Sequence, residues 1–190
     1  MNFENFTERS QGVIQAAQMH ALGKRHQTLQ LDHLLKVLLD DREGMSAGLI
    51  RAAGGDPQKA LQAVEENLSK IPQVYAQGGA DQLHMAPEVA RFLSAVGEIA
   101  KKAGDSFVTV ERMLLGIALA SGAPAQKALI SAGVTAEGLN RAINEIRGGR
   151  TADSAQAEQG YDALKKYARD LTQAARDGKL DPVIGRDEEI

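Results

Sequence analysis

The sequence predicts an all-α, pseudo-twofold helical globule made of two tandem repeats of about four helices each. The stretch Asp105–Leu119 matches the stretch His26–Leu39 when the chain is shifted by 79 positions. In each copy an acid, Asp32 or Glu111, stands where a helix is predicted to begin, and apolar residues follow at helical spacing. No segment shows the sustained alternation of a half-buried strand, so we expect no strands. Two copies indicate one globule with internal pseudo-symmetry rather than an extended array.

The match continues on both sides of this stretch, where apolar residues fall on apolar residues. The pairs are Ile14 with Leu93, Ala21 with Ala100, Leu49–Ile50 with Leu129–Ile130, Leu61 with Leu139, and Leu68 with Ile146. The last three pairs require one inserted residue and, further on, a gap near the glycines. We therefore predict a domain at residues 1–147, with repeat 1 at about 3–75 and repeat 2 at about 83–147.

Three helix starts carry residues that favour N-caps. Thr7 precedes Glu8, Asp56 precedes Pro57, and Thr135 precedes the last apolar helical face of the second copy. A hydroxyl or carboxylate at these positions can accept a hydrogen bond from a free backbone amide of the first turn.

Composition favours a soluble cytoplasmic protein. The chain has 190 residues, a net charge of −3 and no cysteine, which excludes disulfides and cysteine–metal sites. The basic residues are scattered, so we expect no nucleic-acid partner. The longest apolar run, Met113–Ala120, is far shorter than the roughly 20 residues of a membrane span, and the N-terminus lacks a secretory signal pattern. We expect no membrane partner.

Apolar periodicity disappears from residue 148 to residue 160, and this composition predicts a flexible linker. Helical order resumes in residues 161–190, where Leu164, Tyr167, Leu171 and Ala174 share a face. The segment Lys179–Ile190 has no core of its own. We expect residues 161–190 to be the first part of a domain whose body lies beyond this sequence.

These two regions carry one resemblance. Residues 3–147 resemble the duplicated helical N-terminal domain of the Clp chaperone ATPases. The stretches Leu164–Thr172 and Lys179–Ile190 are similar to the beginning of the first AAA+ nucleotide-binding domain in that family. Within the family, Leu164–Tyr167 and Ile71–Val74 are similar to the disaggregating branch.

The resemblance implies a piece of a homohexameric, ATP-driven chaperone that remodels aggregated proteins together with the DnaK system. Its N-terminal domain would bind unfolded or aggregated clients, while ATP and magnesium would bind in the AAA+ domains. Val183 and Ile184 match positions that contact the nucleotide only in an intact AAA+ domain. This chain contains no Gly-x-x-x-x-Gly-Lys-[Ser/Thr] loop, so we expect a monomer without cofactors or enzymatic activity of its own.

Five residues are predicted to bind clients. Thr7, Asp105 and Glu111 match surface positions that the family ties to client handling, and Ala95 and Ile99 are expected to line an apolar groove. The alternative for the first three is structural, because an N-cap, a turn residue and a first-turn acid would also explain them. The sequence departs from the family pattern at Arg112, where some relatives carry an apolar residue.

Two other functions stay open at this stage. The domain could dock adaptor proteins for a protease-coupled Clp ATPase, or it could be a catalytic helical domain. The second is disfavoured because no nucleophile–base pair stands out, and we predict no catalytic residue. The four histidines, His20, His26, His33 and His84, lack metal-ligand spacing, and a capping or core role is expected for His33.

Overall fold

The computed structural model describes residues 3–75 and 83–161, and the following account concerns those residues. They form a helical domain, which confirms the predicted all-α class. The helices are α1 (Glu8–Gly23), α2 (Leu31–Asp40), α3 (Met45–Ala52), α4 (Pro57–Ser69), α5 (Pro87–Lys102), α6 (Val110–Ala118), α7 (Pro124–Ser131) and α8 (Ala136–Arg147). Among them, none combines the length and apolar character that crossing a bilayer requires.

The prediction that the chain has no strands is wrong in one detail. Two short strands, β1 (Thr28–Leu29) and β2 (His84–Met85), pair in parallel, with Thr28 opposite His84 and Leu29 opposite Met85. Each strand has only two residues, which is too short for an alternating pattern to show in the sequence.

The helix bounds support the two-repeat prediction. Each helix of the first half begins 79 residues before a helix of the second half: 8 and 87, 31 and 110, 45 and 124, 57 and 136. Backbone pairing follows the same rule. Phe6 pairs with Val108, and Leu29 pairs with Met85. The shift of 79 takes Phe6 to Met85 and Leu29 to Val108, so each pair is the equivalent of the other with the two halves exchanged. Such an exchange is what a pseudo-twofold arrangement requires.

The inserted residue and the gap proposed from the sequence are wrong, because the shift of 79 holds throughout. Ile50, not Leu49, occupies the place of Leu129, and both side chains are fully buried. Ile130, expected to be a core residue, is 58% exposed. Matching leucine with leucine shifted the alignment of the two repeats by one residue. The pattern of buried residues instead follows the constant spacing of 79 between equivalent helices.

The predicted N-caps are confirmed. The side chain of Thr7 accepts a hydrogen bond from the Ser10 amide, Asp56 from Gln58, and Thr135 from Gly138. These contacts satisfy amides that have no partner inside their own helices.

The core lies around α2 and α6, which are buried on nearly all sides. Their fully buried side chains include Leu31, Leu34, Leu35, Met113, Leu114 and Ile117. Gly116 marks a close approach between α6 and α5. A Cβ there would lie 2.5 Å from Val96 Cγ1 and 2.9 Å from Phe92 Cε1.

Residues 148–160, predicted as a flexible linker, make contacts with the helical domain that the prediction did not include. Between Arg150 and Tyr161 the chain lies on the helical domain, and Ala152, Glu158 and Tyr161 are buried. Backbone and side-chain hydrogen bonds, rather than an apolar face, attach this segment to the domain. A search for apolar periodicity therefore misses it. The remainder of the predicted AAA+ start, including Val183 and Ile184, lies outside the described residues.

Candidate functional site

A buried ionic network lies where the loop before α6, the first turn of α6 and the end of α8 meet. Arg147 donates from Nη1 to Asp105 Oδ1 at 2.6 Å and from Nε to Glu111 Oε2 at 3.0 Å. Its Nη2 donates to Thr109 Oγ1 at 3.0 Å. Arg112 completes the charge balance through a 3.2 Å contact from Nε to Asp105 Oδ2. Two acids and two arginines thus compensate one another in a buried place.

Charge pairing decides the ionisation of this network. Burial alone would raise the pKa of Asp105, but hydrogen bonds from Arg147 and from the Ala152 amide outweigh it and lower that pKa. Burial would lower the pKa of Arg147, and its carboxylate partners raise it instead. Asp105 is therefore ionised at neutral pH, and Arg147 keeps its charge.

Glu158 brings a further carboxylate to the starts of two helices. Thr7 Oγ1 donates to Glu158 Oε2 at 2.6 Å, and the Val110 amide donates to the same oxygen at 3.0 Å. Thr7 is the N-cap of α1 and Val110 is the first residue of α6. A negative charge is favourable there, because both helix dipoles present their positive ends to it.

Tyr161 closes the other side of the network. Its hydroxyl donates to Glu111 Oε2, and its ring centroid lies 5.5 Å from the guanidinium carbon of Arg147. Burial, followed by the nearby charge of Glu111, raises the pKa of Tyr161, so the phenol stays protonated and can donate. Among the described residues, the second oxygen of Glu111, Oε1, has no hydrogen-bond partner.

Of the five predicted client-binding residues, three are brought together here. Asp105 and Glu111 share Arg147 as a partner, and Thr7 contacts Glu158 at the start of α6, but the three are 0% (Thr7), 9% (Asp105) and 0% (Glu111) exposed rather than on an open surface. Thr7 does cap a helix and Glu111 does lie in a first turn, as the structural alternative expects. Asp105 lies in the turn that follows α5, where its amide donates to the Ala100 carbonyl, and its carboxylate also accepts hydrogen bonds from two arginines.

The other two predicted residues lie elsewhere, on α5. Ala95 is exposed and lines a cavity of about 430 Å³ together with Phe92 and Leu119. Ile99, one turn further along, packs partly buried against the core and does not line that cavity. Arg112 is also absent from its lining, since it is buried against Asp105.

The sequence analysis missed Arg147, Glu158 and Tyr161 as members of the network. Arg147 could have been found, because at a constant shift of 79 it replaces Leu68, a core residue of repeat 1. A charged residue at a core position demands a buried partner. Glu158 and Tyr161 carried no comparable signal, since they follow the stretch without periodicity.

Repeat 1 has a neutral counterpart of this network. His26 and His33 stand 79 positions before Asp105 and Arg112, and His26 Nδ1 lies 2.8 Å from His33 Nε2. The Gln30 amide donates to His33 Nδ1, so His33 both closes a capping box and lies in the core, as predicted. Burial, with the neighbouring histidines, lowers the pKa of His33 to about 4. Asp32, the counterpart of Glu111, is buried, and burial raises its pKa.

Comparison with known proteins identifies the family. The Clp repeat (R) N-terminal domain model matches residues 5–132. This chain belongs to that family. Over all 190 residues it is 58% identical to the chaperone protein ClpB of Rhodopseudomonas palustris, a match that covers 100% of this chain and 22% of that protein. The chain thus spans about a fifth of the length of this relative.

Solved structures show the same fold for this Clp N-terminal domain. The Hsp104 N-terminal domain from Candida albicans superposes with a TM-score of 0.70 at 21% identity, covering 81% of this chain and 99% of that one. The ClpV N-domain in complex with a VipB peptide gives a TM-score of 0.57 at 18% identity, covering 80% and 92%.

Proposed function

We propose that this chain is the client-binding N-terminal domain of an ATP-dependent chaperone that disaggregates and remodels denatured proteins. The likeness to ClpB along the whole chain supports this assignment. The observation that carries it is an apolar surface around Leu119. This side chain is 51% exposed and lines both the 430 Å³ cavity beside Ala95 and a neighbouring cavity of about 670 Å³.

The second cavity adds exposed apolar area. Ile130 lines it and is 58% exposed, so two large aliphatic side chains face solvent within one surface. Glu88 and Arg91 stand at the rim of the first cavity. An apolar patch with a charged rim fits extended apolar segments, which are what an unfolded client presents and a folded protein hides.

We extend the proposal to the parent protein on the same likeness. It would be a homohexameric AAA+ ATPase that takes ATP and magnesium in domains beyond this sequence and works in the cytoplasm with the DnaK system. In the ClpV relative, the N-domain is complexed with a peptide, and a peptide-sized ligand is what we propose for this surface. Docking of a folded adaptor is the alternative, and it differs in requiring a structured partner.

The test compares one charge placed on the surface with the same charge placed elsewhere. A permanently unfolded model protein is titrated into labelled protein, and Kd is measured for the unmodified chain, Leu119→Glu and Met19→Glu. Met19 is 72% exposed on α1 and lines neither cavity, so it is the matched control.

We expect Leu119→Glu to weaken binding at least tenfold, because an introduced carboxylate would have to be desolvated against the client. Met19→Glu should leave Kd within twofold. Equal effects of the two substitutions, or binding of folded proteins alone, would exclude this surface as a client site.

A further inference from the structure

Residues 150–161, here called the clasp, lie against the helical domain through backbone hydrogen bonds at Ala152 and Ala155. The carbonyl of Ala152 accepts hydrogen bonds from the amides of Ser106 and Phe107, at 2.9 and 3.2 Å. The amide of Ala152 donates to Asp105 Oδ1 at 3.0 Å. Further along, the Glu8 amide donates to the carbonyl of Ala155 at 2.8 Å. The clasp therefore has a defined register on the domain.

Each of the three buried residues predicted for client handling holds one part of this clasp. Asp105 accepts from the Ala152 amide, Thr7 donates to Glu158, and Glu111 accepts from Tyr161. Both oxygens of Asp105 are occupied by partners from this chain, as is the hydroxyl of Thr7. Asp105 and Thr7 thus have their partners within the chain, and Glu111 is fully buried, which leaves a client little to bind.

Few buried side chains hold the clasp. Within it only Ala152, Glu158 and Tyr161 are buried, and most of the remaining side chains are exposed. The chain turns into the clasp at Gly148 and Gly149, which have positive φ angles of 56° and 87°. Glycine adopts this backbone readily and can also leave it readily. A segment with so few apolar contacts belongs to the parts of a fold that open locally.

Release would change how far the domain can move. While the clasp is docked, the chain is fixed to the domain as far as Tyr161. Once released, residues 148–161 become a free tether, and a polar, glycine-containing tether of that length has an r.m.s. span of roughly 20 Å. Release thus exchanges one fixed position of Tyr161 on the domain for a range of positions within that span.

We propose that Thr7, Asp105 and Glu111 act in client handling by holding the clasp, and that its docking and release set the reach of the domain from the sequence after residue 161. The three residues are positioning residues, and clients bind at the surface around Leu119. This inference rests on the proposed client-binding function.

The first experiment measures docking directly. Because the chain has no cysteine, Gln15→Cys on α1 and Gln159→Cys on the clasp give one specific pair of spin-label sites in the 190-residue protein. We expect a narrow distance distribution, which the additional pair Glu158→Ala and Tyr161→Phe broadens. Hydrogen exchange at the Ala152 amide should accelerate at least tenfold. Glu145→Ala, an exposed glutamate on α8, is the matched control and should change neither readout.

The second experiment separates holding from client contact. We expect the released variant, Glu158→Ala with Tyr161→Phe, to bind the unfolded model protein with a Kd within twofold of the unmodified chain. A fivefold or greater gain in affinity would show that the clasp covers a client contact and would overturn the positioning role. A broad distance distribution in the unmodified chain would overturn the docked state itself. Failure of the proposed function is recognised separately, because Leu119→Glu would then leave Kd unchanged while the spin-label result stands.

Discussion

Replacing Arg147 by leucine tests whether the ionic network holds the second repeat together. Leucine is the residue that repeat 1 carries at the equivalent position, Leu68, so the new side chain suits a core environment. The substitution removes contacts to Asp105, Glu111 and Thr109 at 2.6, 3.0 and 3.0 Å. It leaves two buried carboxylates with one remaining cation, Arg112.

The expected loss is large. Removing one partner of a buried ion pair costs about 3–5 kcal/mol, because an uncompensated charge stays buried. That is a substantial part of the roughly 5–15 kcal/mol that stabilises a typical domain. For a domain of this size each kcal/mol lowers the melting temperature by about 2–4 °C, so Arg147→Leu should lower it by roughly 10 °C.

The pH dependence identifies the cause. Arg147 holds the pKa of Asp105 below its ordinary value of 3.8, so the unmodified protein keeps this stabilisation above about pH 4 and loses it as the pH falls further. Without Arg147 the pKa of Asp105 rises, and that contribution shrinks. We therefore expect the difference in the free energy of unfolding between the unmodified protein and Arg147→Leu, measured with urea, to be smaller at pH 3.5 than at pH 7.

A second substitution is the control for lost packing. Arg147→Leu combined with Glu111→Gln leaves Asp105 paired with Arg112 and restores charge balance, and the new amide oxygen can still accept from Tyr161. We expect this double variant to be more stable at pH 7 than Arg147→Leu alone. If Arg147→Leu costs less than 1 kcal/mol, or if its cost is the same at both pH values and the double variant is no better, the network does not stabilise the fold electrostatically.

Two further predictions concern the core. The pKa of His33 is lowered to about 4 in the folded protein, whereas an unfolded histidine titrates near 6.5. Between these values only the unfolded chain binds the proton, so stability falls as the pH is lowered. For His33 alone the free energy of unfolding should decrease by about 2 kcal/mol from pH 7 to pH 5. His33→Gln, which keeps a donor and an acceptor, should make the urea midpoint depend less on pH over that range. An unchanged pH dependence would contradict the lowered pKa of His33. Gly116→Ala should cost about 1–3 kcal/mol, because its Cβ would lie 2.5 Å from Val96. Gly97→Ala on α5, where a Cβ meets no atom within 4 Å, should instead stabilise by about 0.5–1 kcal/mol in the same thermal melts.

Most of the helical fold could be predicted because apolar spacing and capping residues are local signals. Thr7, Asp56 and Thr135 cap the helices that they were expected to cap. The register of the second half could not be predicted in the same way. Sequence matching pairs Leu68 with Ile146, whereas helix spacing pairs it with Arg147. Similarity of side chains misleads where one copy has exchanged a core residue for a charged one.

The sequence singled out some residues of the buried network but neither their partners nor their burial. Asp105 and Glu111 were singled out, and they do lie together, yet their burial depends on Arg147 and on a segment that looks like a linker. Backbone hydrogen bonds to Ala152 and a single buried carboxylate from Glu158 leave no periodic trace in a sequence. Such contacts become visible only when distant parts of the chain are placed in space.

The two repeats differ in one pair of buried polar residues. Repeat 1 places two neutral histidines, His26 and His33, where repeat 2 places Asp105 and Arg112. The neutral pair closes within its own repeat, while the ionic pair offers an oxygen to the backbone of the clasp. A duplicated core supplies the same scaffold twice. In one copy the polar pair can therefore bond only within its own repeat, while in the other copy it also bonds to a further segment. The difference between the copies at this pair, rather than the fold they share, therefore marks where the domain contacts the clasp, through Asp105 and the Ala152 amide.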